Sequence, residues 1–347
     1  MATSVIGLDI GTTRVRAVEV QRGRGAPTVL RYSEVPLPLG AVRDGEVAAP
    51  EAVVPAIRQL WTHGRFSHRD VVIGVGNQRV MVRNLSLPWM PMTQLRASLP
   101  FQVQDTLPVP VEDALLDYYP TGESNGPEGR TVHGLLVAAT RDTVQANLSA
   151  VESAGLRPVV VDLNAFALVR AHLVTGIENR VAALIDIGAS STNVIVAARG
   201  VPRLVRTLAT GGQYVSDAVA SAMNVAVAEA DAVKRQVGVG FAVPHDLEAA
   251  ADVINHVSQN MVESIRNTLV YYGSNNPGEP IEMAVLTGGG AYLNGLGQYI
   301  SSATRLPVAM GDLLGAVNVA RSAAIAPFQG VESTLAVPLG LAMAVAA

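Results

Sequence analysis

The sequence predicts an α/β protein of two similar lobes with a small α+β unit inserted into the first, and three observations carry that prediction. The chain has 347 residues, more than one hydrophobic core usually holds. A strand, a tight turn of small and hydroxyl residues and a second strand occur at SVIGLDIGTTRVRAVEV and again at AALIDIGASSTNVIVAA, aligning Asp9 with Asp186, Gly11 with Gly188 and Thr13 with Ser190. The stretch from 78 to 157 has no counterpart of the same order in the second half.

Composition narrows the class. Apolar residues make up 49% and charged residues 16%, the balance of a compact folded chain. A net charge of -4 without any Lys/Arg block argues against nucleic acid as a partner. There is no cysteine, which excludes disulfides, thiolate metal sites and a cysteine nucleophile and suits a reducing interior. No basic segment precedes a long apolar one at the N-terminus, and no stretch reaches the roughly 18 apolar residues of a membrane span. The expectation is a cytoplasmic, unspanning protein. The tail LAVPLGLAMAVAA lacks the basic face of an interfacial helix and is expected to be a buried terminal helix.

The elements follow in order. After the first hairpin, EAVVPAIRQLWTHGR has apolar residues at helical spacing despite Pro55. DVVIGVGNQRVMVRNLSLP is strand-like, rich in Val and Ile. A helical segment then runs from MPMTQL towards DTLPVPVEDALLDYYP, followed by a Gly-rich loop GESNGPEG, the strand TVHGLLVAAT and the helix RDTVQANLSAVESAG. LRPVVVDLNAFALVRAHLV returns as strand and helix. In the second half GVPRLVRTLATGGQYVSDAVASAM is a strand leading through Gly211 and Gly212 into a helix. NVAVAEADAVKRQVG and the run from LEAADVINHV to TLVYYG are helices, IEMAVLTGGGAYLNGLGQYIS is strand, glycine turn and helix, and RLPVAMGD is an edge strand. These readings set the first lobe at 1–77 and 158–179, the insert at 78–157 and the second lobe at 180–347, with a helical subdomain near 215–280.

Phosphate needs several backbone N–H groups converging at close range, which favours glycine, with hydroxyls as further short donors. DIGTT (Asp9 to Thr13) and DIGASST (Asp186 to Thr192) meet that description, as do the glycine turns at Gly211 and Gly212 and at Gly288, Gly289 and Gly290. The last turn leads into a helix whose N-terminus favours anions. Asp9 and Asp186 each end an apolar strand. Taken singly either could cap a turn; at equivalent points of two repeats they suit a hydrated Mg²⁺, which takes one or two carboxylates and keeps its waters. Of the 25 basic residues only Lys234 is a lysine, a compact ammonium rather than a planar fork.

Together these features resemble the actin, sugar-kinase and heat-shock chaperone superfamily. The resemblance implies an actin-like (ribonuclease H-like) fold with ATP and Mg²⁺ between the lobes. It implies phosphate hairpins at Asp9, Gly11, Thr12, Thr13 and Arg14 and at Asp186, Gly188, Ser190, Ser191, Thr192 and Asn193. It also implies a phosphate-facing pair Gly211 and Gly212, a ribose and adenine clasp of Asp231 and Lys234, and an adenosine turn from Gly288 through Gly289 and Gly290 to Leu293. Asp9 and Asp186 would hold the metal. Within the superfamily the insert LPWMPMTQLRASLPFQVQDTLPVPVEDALLDYYP is similar to the PilM family of type IV pilus assembly proteins, on Pro88, Met90, Pro91, Leu107, Pro108, Pro110, Asp117 and Tyr118. Pro100 departs from that pattern and is expected to start or kink the helix.

PilM-like membership implies a scaffold at the inner face of the membrane that docks the N-terminal cytoplasmic peptide of a PilN-like membrane protein beside the insert, with residues of Val80 to Leu87 and Leu95 to Val103 reading equally as its lining or as plain core. Pilus assembly ATPases and further copies of the chain complete the implied partners. The motifs hold no evident general base, so ATP hydrolysis is expected to be slow at most. Two alternatives share the fold: an FtsA-like filament protein of cell division, and a small-molecule kinase.

Overall fold

The computed structural model describes residues 4–23, 25–107, 109–127, 129–321, 330 and 332–344. β1 (Ser4–Ile10) and β2 (Arg14–Gln21) form the first hairpin, antiparallel from Ser4↔Gln21 to Ile10↔Val15. Strand alternation sorts its side chains. Ile6, Leu8, Val15 and Ala17 enter one core, while Asp9 and Arg16, cross-strand partners, share the other face. β3 (Thr28–Pro36) pairs with β2, and the short β4 (Val42–Arg43) and β5 (Glu46–Val47) pair with each other. α1 (Pro50–Gly64) begins on a proline, whose missing N–H costs nothing in a first turn, and buries Val53, Ala56, Ile57 and Leu60 against the Ile6 and Leu8 face. β6 (Asp70–Val75) pairs parallel with β1.

The insert is a three-stranded sheet with one helix: β7 (Val80–Pro88), α2 (Met92–Val103), β8 (Ala114–Gly126) and β9 (Gly129–Thr140), in the order β7-β9-β8. Three of its features bear on the sequence reading. α2 runs through Pro100 rather than starting there. Most of GESNGPEG is strand, since β8 stays in register with β9 to Gly126↔Gly129. The two segments that read as groove lining or as core pack on each other, with Leu87, Leu95, Leu99 and Val103 joining Tyr118, Val132 and Leu136 in a core of the insert's own. Pro108 lies outside the described residues. A bulge between Pro120 and Gly122 leaves Thr121 without a ladder partner on β9.

α3 (Arg141–Ser153) packs on the first lobe, with Ala150 and Val151 in the α1 core, so the inserted sheet ends at Thr140 although the sequence reading extends the insert to 157. β10 (Arg157–Leu163) pairs parallel with β6, and α4 (Asn164–Leu173) carries the chain onward.

The second lobe repeats the plan. β11 (Val181–Ile187), β12 (Thr192–Ala198) and β13 (Val201–Leu208) form an antiparallel meander, with Asp186↔Asn193 standing where Asp9↔Arg16 stands in the first. α5 (Gly212–Met223), α6 (Val227–Val237) and the long α7 (Glu248–Asn275) follow, then β14 (Met283–Thr287), parallel to β11, α8 (Leu296–Thr304) and the edge strand β15 (Val308–Met310).

The remaining chain leaves this lobe. β16 (Asn318–Val319) pairs with β3, completing the six-stranded order β10-β6-β1-β2-β3-β16, and α9 (Ala336–Ala342), buried throughout, packs against α4, β1, β2 and β6. The sequence reading places 180–347 in one lobe. The correction has a physical cause: α9 is apolar on every face and needs cover all round, which the back of the first sheet supplies at Gly7, where a Cβ would lie 2.6 Å from the Ala342 nitrogen. No described helix is long and apolar enough to cross a membrane.

Candidate functional site

The two hairpin turns close alike. The Gly11 N–H donates to the Arg14 carbonyl and the Gly188 N–H to the Ser191 carbonyl, each at 2.9 Å, and a Cβ on either glycine would sit 3.0 Å from that acceptor. The turns meet across the lobes, where the Thr12 and Ser190 hydroxyls hydrogen-bond each other at 2.7 Å. Each is a short donor that a phosphate oxygen between the hairpins could take in place of the other.

Behind them lie the two aspartates. Asp9 is 3.7 Å from the Arg16 guanidinium, and Asp186 accepts a 3.4 Å bond from the Asn193 amide. Burial raises the Asp9 carboxyl above the ordinary carboxylate range against the pull of Arg16. Burial pushes Asp186 up to about 6, with the negative charge of Asp9 adding to it and Asn193 opposing. Two dehydrated carboxylates that repel one another, one of them 3.7 Å from a guanidinium, form a donor set that a divalent cation fits. Among the described residues no group of three or more His, Cys, Asp or Glu side chains gathers as a metal site.

The glycine turns pack onto the second hairpin. The Gly212 and Gln213 N–H groups donate to the Gly188 and Ala189 carbonyls at 2.9 and 2.8 Å, so α5 spends two of its free donors on the hairpin. A Cβ at Gly211 would lie 2.5 Å from the Ala189 oxygen. Gly288, at φ 83°, would place a Cβ 2.6 Å from an Asp186 oxygen, and Gly290 one 2.6 Å from Ile187 Cγ2; around Gly289 nothing lies within 4 Å. Gly288 and Gly290 thus permit close approach of backbone to backbone, and Gly289 leaves open space.

Lys234 reaches this cluster from α6. Its ammonium donates to the Gly212 carbonyl at 3.1 Å and to the Ser216 hydroxyl at 2.7 Å, and pairs with Asp231 at 2.6 Å. Three donors meet three acceptors in a space that suits an ammonium. Asp231 also accepts two bonds from Arg235 and one from Ser216; burial opposes its ionisation, but Lys234, Arg235 and Ser216 together hold the carboxyl down at about 2.

Not every predicted residue joins the cleft through its side chain. Arg14 pairs with Glu34 at 2.6 Å. Thr192 is fully buried and donates to the Thr210 carbonyl, and Leu293 lies in the second-lobe core, whereas Asn193, which accepts from Thr207, reaches the cleft through its bond to Asp186. Thr13 and Ser191 contribute backbone carbonyls, the former accepting from Leu37 N–H at 2.8 Å. The reading missed Arg16, which bonds Glu34 at 3.2 Å and faces Asp9, with the Tyr32 hydroxyl donating to the same Glu34 oxygen at 2.9 Å. The signal was available, because a tight hairpin places Arg16 directly opposite Asp9.

Comparison with known proteins fits this geometry. The family model described as "Type IV pilus assembly protein PilM" matches residues 7–346. Among solved structures, the PilM-PilN type IV pilus biogenesis complex is similar with a TM-score of 0.86 and 28% identity, over 99% of this chain and 98% of that one. MreB5 of Spiroplasma citri bound to AMPPNP has a TM-score of 0.58 and 13% identity over 99% and 96%, a likeness of fold. The cell division protein FtsA of Bacillus subtilis (strain 168) is 23% identical over 278 residues, 73% of this chain; the chain spans 61% of that relative's length. The architecture is the actin-like two-lobed α/β fold.

Proposed function

The chain belongs to the PilM family of type IV pilus assembly proteins, and from that membership we propose that it is an ATP-binding scaffold which docks the cytoplasmic N-terminal peptide of a PilN-like membrane protein. The observation that carries the partner is the match over nearly the whole chain to PilM of the PilM-PilN complex, insert included. The peptide's place would be the outer side of the insert. There the edge strand β8 carries Leu115 and Tyr119, 37% and 36% exposed, and Tyr119 stacks on Phe166 of the first lobe at 4.8 Å. An extended peptide gains main-chain bonds on a sheet edge and specificity from alternate side chains.

Nucleotide binding is supported by the paired hairpins. Thr12, Ser190 and the backbone of Gly11 and Gly188 would hold phosphate, with Arg16 as a cationic partner once drawn from Glu34. Asp9 and Asp186 would hold Mg²⁺, which would supply neutralisation of phosphate charge. Gly289 would face the adenosine, and Lys234 fixes the α5 turn from behind. No side chain here is placed as a general base for water, so turnover would be slow. With the partner in the inner membrane, the protein would sit on that membrane's cytoplasmic face without entering it.

Two measurements test this. Mg-ATP should raise the melting temperature of the wild type and leave Asp9→Ala unmoved; an equal rise in both sinks the nucleotide reading. A synthetic PilN-like N-terminal peptide should bind the wild type and lose about tenfold in affinity to Tyr119→Ala; an unaffected variant moves the docking face elsewhere, and no binding to the wild type removes the partner.

A further inference from the structure

The insert is rooted in the first lobe but is also held by the second. β13, the edge of the second sheet, runs beside β7, the edge of the inserted one. Arg203 on β13 donates from Nη1 to the Thr121 carbonyl of β8 at 3.1 Å, and among the described residues this is the hydrogen bond that joins insert and second lobe. The acceptor is special. Thr121 is the residue that the β8 bulge leaves out of register, and a bulge locally disrupts the ladder, so a side-chain donor from outside the sheet can hold its carbonyl. Arg203 is itself steered: its Nε is 3.5 Å from Glu279, and Glu279 accepts from the buried Tyr272 of α7 at 3.3 Å. A line of contacts thus runs from the second-lobe core to the bulge.

We propose that Arg203 couples occupancy of the inter-lobe cleft to peptide docking on β8, by holding the Thr121 bulge of the docking strand from the opposite lobe. This rests on the nucleotide and peptide reading above. Thr121 stands two residues from Tyr119 on the same strand, so what fixes the bulge fixes the register and tilt of the edge that a peptide would join. The Arg203 contact is made in the arrangement where the Thr12 and Ser190 turns touch. A nucleotide clasped by both turns stabilises that arrangement, keeps Arg203 within reach and prepares β8. The reverse holds by linkage: a peptide that settles β8 favours the arrangement that clasps nucleotide. Coupling of this kind needs a packed element with two positions, and in this proposal that element is the β8 edge at Thr121, with and without the Arg203 bond.

The test is a thermodynamic square on the full chain: affinity for Mg-ATP measured with and without saturating PilN-like peptide, and peptide affinity with and without Mg-ATP. In the wild type each ligand should tighten the other about fivefold. Arg203→Ala should keep each separate affinity within about twofold while the mutual factor falls to about one, and Arg203→Lys, which can still donate to Thr121, should regain part of it. A wild-type factor of one or below, or an Arg203→Ala factor equal to wild type, overturns the coupling. If either ligand alone fails to bind the wild type, the underlying functional reading is what has failed. A merely structural role for Arg203 would lower both affinities together and leave their ratio unmoved, which also overturns it.

Discussion

At the cleft floor, Asp186 carries a charge that its surroundings oppose. Its carboxyl titrates near 6 in the folded chain against 3.8 for the free side chain, raised by burial and by Asp9. A raised acid binds more protons folded than unfolded, so its penalty is absent below about pH 4, grows through the window to 6 and is full above it. Asp186→Asn should therefore stabilise the ligand-free protein at pH 7 by up to about 3 kcal/mol, flatten the pH 4 to 6 slope of thermal stability, and abolish the stabilisation by Mg-ATP. A variant less stable than wild type at pH 7 would contradict the assignment. The glycine turn at Gly288, Gly289 and Gly290 offers a second contrast. Gly290→Ala would force a Cβ onto Ile187 and should cost about 1–3 kcal/mol in chemical denaturation. Gly289→Ala meets no atom within 4 Å and should fold as wild type yet bind nucleotide more weakly.

Between elements, the packing of α9 on α4 is the most exacting contact in the first lobe. A Cβ at Gly340 would collide with the backbone of Ala167, and the Gly340 carbonyl accepts from Arg170 at 3.1 Å. Gly340→Ala should destabilise by more than about 3 kcal/mol, since backbone and not a flexible side chain must yield; a melting temperature near wild type would show that α9 can shift at little cost. This is also where sequence reasoning reached its limit. The hairpins were legible because period-two alternation and a repeated D-I-G turn state both the strand and its face. For α9 the sequence stated burial but not the address, because a helix apolar on all sides carries no stripe to point with. Leu95, Leu99 and Val103 posed the converse problem: apolar residues at helical spacing read equally as groove or core, and the facing strand chose core. Arg16 needed no fold to be found, only the cross-strand register of a hairpin already recognised.

At the scale of the molecule, one core joins the lobes, gathering β2, α4 and α9 with Ala182, Leu184 and Ile195 of β11 and β12, while another, of β11, α5 and α7, lies within the second lobe. α9 has a further consequence in time. Strands β1, β2 and β6 leave the ribosome long before the helix that covers them, so the first lobe must wait with one face bare while the entire second lobe is made. Domains otherwise fold in order of synthesis, and here the order is inverted: the α5 and α7 side of the second lobe can pack while the first is still open. Pulse-proteolysis of stalled nascent chains ending before Ala336 should find the β11 to β15 region protected and the β1 to β6 region cleaved. A first lobe already resistant at that length would mean its sheet holds without its last helix. Emergence of α9, rather than of the hairpin's own sequence, is then the event that completes the sheet on which the N-terminal hairpin stands.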